Sequence, residues 1–175
     1  MKGFGMAAAL LLTVLFFAGP GFTHEDTGVH ASCKYCNMDR KTFDYSRMLI
    51  EYSDRTASGT CSLHCTAIEL TANMSKVPCK IRVGDFISKK LIDATTAYWV
   101  VGGSKRGVMT ERAKWAFEKK TDSEKFIRKH GGTAAAFHEA LRAAYEDLYA
   151  DVKATIDRVT ERKSRGWDPC AQHNR

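Results

Sequence analysis

Two cysteine pairs constrain this chain more than any other feature. Cys33-x-x-Cys36 is followed about two dozen residues later by Cys61-x-x-x-Cys65. Taken together they read as a four-thiolate zinc knuckle or as a crossed pair of disulfides. Both readings need the intervening residues to double back, and the sequence supplies the means. Arg47 to Tyr52 (RMLIEY) alternates as a strand, Ser53 to Thr56 is turn-like, and Ala57 to Thr60 returns antiparallel. Leu63, Ala67, Ile68 and Leu70 then fit one face of a short helix, with Cys65 in its first turn or two.

The residue two places after the first pair carries separate information. CKYCNM ends in Met38, a thioether, and thioether plus thiolate is the donor set that selects Cu(I). Zinc takes cysteine, histidine and carboxylate, so a zinc site gains nothing from Met38. His64, inside CSLHC, is a further candidate ligand. Spacing alone leaves Met38 open between ligand and core residue, and Cys33–Cys36 open between metal clasp and disulfide. A thioredoxin-like couple would need its first cysteine at a helix N-terminus, whereas this motif precedes a strand. No Gly-x-Ser-x-Gly, His-Glu-x-x-His or phosphate loop is present, and no catalytic role is expected.

The remaining chain reads as a second unit. KIRVGDF, LIDATTAYWVVGG and VMTERAKWAFEKK suggest strands, with Met109 in a loop between two of them. Thr121 to Glu124 matches a capping box opening a helix that stops at Gly131-Gly132. The two units, 33–74 and 80–132, share an order of Met-bearing loop, two strands and helix. From Ala135 to about Lys163, Phe137, Leu141, Tyr145, Leu148, Val152, Ile156 and Val159 mark one apolar stripe. The expectation is that this helix, residues 133–163, packs on the two units. A basic tail, 164–175, follows and reads as a disordered segment rather than as the secondary metal site that its Cys170 and His173 could make; Cys79 has no assigned role.

The N-terminus sets the compartment. Lys2 precedes an apolar run from Ala7 to Ala18, then Gly19 and Gly21 lead to a polar start near His24. Residues 1–23 thus read as a secretory leader, giving a periplasmic protein. No cysteine follows the apolar run directly, so no lipid anchor is expected. A net charge of +7 favours acidic partners, and export removes nucleic acid from consideration.

CKYCNM, the strand pair after it, AYWVVGGSKRGVM, KWAFEKK with its helix, and His130-Gly131-Gly132 resemble the NosL family of nitrous oxide reductase accessory proteins. The resemblance implies an α+β fold of two small ββα-type units with antiparallel strands, here with a long C-terminal amphipathic helix. It also implies an exported, non-catalytic Cu(I) metallochaperone that supplies a copper-accepting client enzyme or its assembly machinery. Carried across, the copper candidates are Cys36 and Met38, with Cys33 beside them, and Met109 from the second unit. Cys61, His64 and Cys65 add a cluster able to hold copper or Zn(II). Asn37 stands where the family usually has glycine, and asparagine also tolerates left-handed backbone angles.

Overall fold

The computed structural model describes residues 25–167 and Ala171; the leader, Cys170 and His173 lie outside the described residues. After a short helix α1 (Glu25–Val29), strand β1 (Met48–Tyr52) pairs antiparallel with β2 (Ala57–Thr60). Met48 and Ile50 are fully buried, and so is Leu49 on the opposite face. Burying such a side chain contributes about 2 kcal/mol, and the strand is apolar on both faces over Met48–Ile50, where both are covered, whereas Glu51 beyond them is half-exposed and pairs with Arg82. Helix α2 (Leu63–Ala72) follows, and β3 (Pro78–Gly84) then pairs with the free edge of β1. With β4 (Leu91–Asp93) this makes a four-stranded sheet of order β2-β1-β3-β4.

Strand β5 (Tyr98–Val101) opens the second half and pairs with β6 (Lys114–Phe117); α3 (Lys120–His130) comes next. The expected ββα order therefore occurs twice, as β1-β2-α2 and β5-β6-α3. KIRVGDF extends the first sheet, whereas a short β7 (Thr133–Ala135) completes the second, of order β6-β5-β7. Helix α4 (Phe137–Ser164) ends the chain.

Two local expectations change. Helix α3 begins at Lys120 after an extended Lys119, so Thr121 lies inside the first turn and no side chain caps the helix. Its end agrees with the sequence: Gly131 sits at φ 71°, the left-handed geometry that glycine tolerates best, and its N–H closes on Ile127 O. The α4 stripe does not pack along its whole length. Ala140 and Ala144 are fully buried, and Leu141 and Leu148 lie against the core. Tyr149, Val152 and Ile156 are exposed by 71%, 57% and 58%.

The halves are joined in two ways. The end of β3 bridges to β6, where Phe86 N–H donates to Ala116 O at 2.8 Å and Glu118 N–H to the Asp85 carboxylate at 2.9 Å. Side chains from both halves also fill each core. One core places Cys33, Cys61 and Cys65 against Val100, Trp115 and Phe126. The other sets Met48 and Leu63 against Trp99 and Ala144. The loop before β1 crosses close over the end of β3. A Cβ at Gly84 would fall 2.0 Å from Asp44 O, so only glycine fits that approach.

Candidate metal centre

The CKYCNM loop is closed on itself by its own backbone. Cys33 N–H donates to Met38 O at 2.8 Å, and Asn37 N–H returns to Cys33 O at 3.0 Å. Asn37 takes φ 59°, the left-handed angle anticipated for it. Lys34 N–H then docks the loop on Gly59 O of β2 at 3.1 Å. That contact sets Cys33 and Cys36 over the turn from β2 to α2, where Cys61 precedes the helix and Cys65 lies in its first turn.

All four sulfurs converge, each within 4.8 Å of the others. Cys36 Sγ is 3.4 Å from Cys61 Sγ, and Cys61 Sγ is 3.8 Å from Cys65 Sγ. A tetrahedral ion with bonds of about 2.3 Å needs sulfurs about 3.8 Å apart, so the nest is close to metal-ready. It is not a disulfide pair. All four cysteines are free, and the separations far exceed the ~2.05 Å of an S–S bond. Cys33, Cys61 and Cys65 are buried, while Cys36 is partly exposed and forms the accessible corner.

Electrostatics inside the nest are uneven. Thiols of Cys61 and Cys65 hydrogen-bond to the Cys33 sulfur, as do the backbone N–H groups of Cys36 and Tyr35, and its pKa falls far below the thiol range. The donors pay the converse shift: hydrogen bonding to Cys33 raises both the Cys61 and the Cys65 thiol.

A buried carboxylate locks the motif to α2. Glu69, 1% exposed, accepts from Tyr35 Oη at 2.6 Å and Tyr52 Oη at 2.9 Å, and pairs with Lys34 Nζ at 3.0 Å. Burial opposes its charge, but these three partners hold its pKa below the usual carboxylate value. Two of them, Lys34 and Tyr35, are the residues between the first two cysteines. Arg40, also buried, donates to Thr60 O at 3.0 Å and Met48 O at 2.8 Å, fixing the far side of the loop. None of these positioning contacts was read from sequence; a glutamate on the apolar side of a short helix was the available signal.

Met38 and Met109 meet in a second feature. Both line an open cleft of about 490 Å³, together with Phe43, Tyr45, Arg106 and Asp151. Met38 packs against the same core as Cys36, and Met109 sits at the rim, 42% exposed, at φ 64°. The Met109 loop is held by α4. Thr110 Oγ1 and Arg112 Nε donate to the Asp147 carboxylate at 2.7 and 2.8 Å, and buried Lys114 also pairs with it. His64 does not join the four sulfurs. Its ring is buried beside Val108, Thr110 and Lys114, with Nε2 4.0 Å from Asp151. Burial, partly opposed by Asp151, lowers its pKa and favours the neutral ring.

A family model for NosL matches residues 26–145, well over half of the chain. The chain belongs to the NosL family. No match was found among curated proteins. A solved structure, the copper chaperone NosL from Shewanella denitrificans, superposes with a TM-score of 0.50 at 24% identity. That likeness covers 62% of this chain and 87% of the other, and it concerns the fold. The matched residues span the CKYCNM loop, the turn carrying Cys61 and Cys65, the Met109 loop and the first turns of α4.

Proposed function

We propose that the protein is an exported Cu(I) carrier that holds the ion with soft cysteine and methionine donors and passes it to a copper-accepting client. One observation carries this reading: four thiols lie within 4.8 Å of one another, and two thioethers from opposite halves of the chain line one cleft, one of them, Met38, packed on the same core as the thiols. Thiolate and thioether together are the donors that favour Cu(I) over harder ions. The similar Shewanella denitrificans structure is that of a copper chaperone, which supports the reading.

Transfer would be a series of ligand replacements without change of oxidation state. Cys36 is the accessible thiol, so an incoming donor would displace it first, while Cys33, Cys61 and Cys65 keep hold from the buried side. Met38 and Met109 offer weaker neutral donors in the open cleft, which suits an ion that must leave. The role is carriage, and no residue is assigned to catalysis. The leader over residues 1–23 supports a periplasmic setting, and among the described residues no helix is long and apolar enough to cross a membrane.

A second reading has its own observation. Four thiols within 4.8 Å of one another, three of them buried, also suit a closed structural Zn(II) site. An anaerobic titration of reduced, exported protein against a chromogenic Cu(I) chelator, with Zn(II) in parallel, separates the two. Tight stoichiometric Cu(I) uptake with weak Zn(II) binding supports the carrier. Tight Zn(II) with no preference for Cu(I), and unfolding on chelation, would make the nest a scaffold.

A further inference from the structure

We propose that the distal half of α4 pairs antiparallel with the same helix of a second copy of this chain. The proposal is independent of the copper reading. Tyr145, Tyr149, Val152, Ile156 and Val159 recur at alternating intervals of four and three residues, which is the strict seam of a two-stranded coiled coil and narrower than a globular packing face. This seam is not the face used inside the molecule, which runs through Ala140, Leu141, Ala144 and Leu148, Leu141 lying at its edge. Tyr149, Val152 and Ile156 are more than half exposed. A shallow apolar groove of about 520 Å³ along His138, Leu141, Tyr145 and Tyr149 continues the seam toward the domain.

Charge selects the occupant and its direction. Residues 145–151 contain Glu146, Asp147 and Asp151 and no base, a net −3. From 152 to 165, five bases stand against Asp157 and Glu161, a net +3. Asp147 is turned inward to Lys114, but Glu146 and Asp151 stay 55% and 65% exposed. An antiparallel copy lays each basic half along the other's acidic half, and opposed helix dipoles add to the attraction. A parallel copy would set like charges together. In the antiparallel register Ile156 meets Val152 of the second copy, and Val159 meets its Tyr149. Stability argues the same way. The last four turns of α4 have little tertiary support, and an isolated helix of that length is marginal in water.

Sedimentation equilibrium on the full exported chain at low and high salt tests the proposal, using three variants. A dimer is expected for the natural chain, weakening as salt rises. Val152→Glu and Ile156→Lys should each give a monomer with unchanged near-ultraviolet dichroism, since neither side chain enters the core. Arg162→Glu with Lys163→Glu turns the basic half to a net −1. The antiparallel pair should then dissociate about tenfold more readily at low salt, whereas a parallel pair would tighten. A monomeric natural chain, or a dimer indifferent to Val152→Glu and Ile156→Lys, overturns the self-pairing. A dimer strengthened by the charge reversal overturns its direction.

Discussion

Tyr35 Oη donates to Glu69 Oε2 at 2.6 Å, and this bond joins the interior of the Cys-x-x-Cys loop to the helix that carries Cys65. The cysteines lie on separate segments, so their spacing depends on such links, of which this one reaches furthest along α2. Glu69→Gln keeps the shape but removes the charge that Lys34, Tyr35 and Tyr52 satisfy. We expect a loss of about 2 kcal/mol in unfolding free energy and a fall in metal affinity of about tenfold or more. Chemical denaturation and competitive metal titration read the two effects. Unchanged metal affinity in a destabilised variant would reduce Glu69 to a plain stabiliser.

The cysteines should not be equivalent. Cys61 is buried and touches both Cys36 and Cys65, so no solvent ligand can replace it. If roughly 12 kcal/mol of thiolate–metal free energy is shared by four ligands, each loss costs about 3 kcal/mol. Cys61→Ser should then lower affinity by about a hundredfold. At Cys36, water or a competing thiol can enter, so Cys36→Ser should cost about tenfold and speed metal transfer to a chelating acceptor. Equal losses in affinity and equal transfer rates would remove the accessible corner from the mechanism.

Local signals made much of the site's layout legible, and what they left out depends on contacts between distant segments. The alternation in RMLIEY and the turn after it fixed the doubling-back that brings Cys33 and Cys36 to Cys61 and Cys65. His64 was harder: it immediately precedes Cys65 on α2, and one residue turns a helix by about 100°. A ring at 64 therefore faces Asp151 rather than the sulfurs. Periodicity also identified the apolar face of α4 but could not say where the domain beneath it ends. The aromatic chain Tyr45–Trp115–Phe86–Phe126, with ring centroids 5.1 to 5.7 Å apart, unites residues far apart in sequence and left no local trace.

Asp147 is the clamp between α4 and the Met109 loop. Burial alone would raise its pKa, but Lys114, Thr110 and Arg112 outweigh burial and hold it below the ordinary carboxylate value. Its contribution is therefore complete above about pH 4 and is lost as pH falls through the lowered folded value. Asp147→Asn leaves Lys114, a side chain 2% exposed, without its counter-charge, and should cost about 3 kcal/mol at neutral pH. Unfolding midpoints measured against pH should show this gap closing on acidification below about pH 4. A gap that persists there would mean that the loss is packing and not charge.

The two methionines make the sharpest test of copper against zinc. Met38 and Met109 come from different halves of the chain and share only the cleft. If they are copper donors, Met38→Ala and Met109→Ala should each weaken Cu(I) binding by about tenfold, and Zn(II) affinity should stay nearly constant because zinc gains little from a thioether. Met109 is partly exposed at the rim and Met38 is packed beside Cys36, so the two should differ in stability. Met109→Ala should change the unfolding midpoint little, whereas Met38→Ala should lower it by removing buried contacts. Cu(I) and Zn(II) affinities that fall together in Met109→Ala, where the fold is least disturbed, would assign the methionines to loop structure and withdraw the cleft from copper transfer.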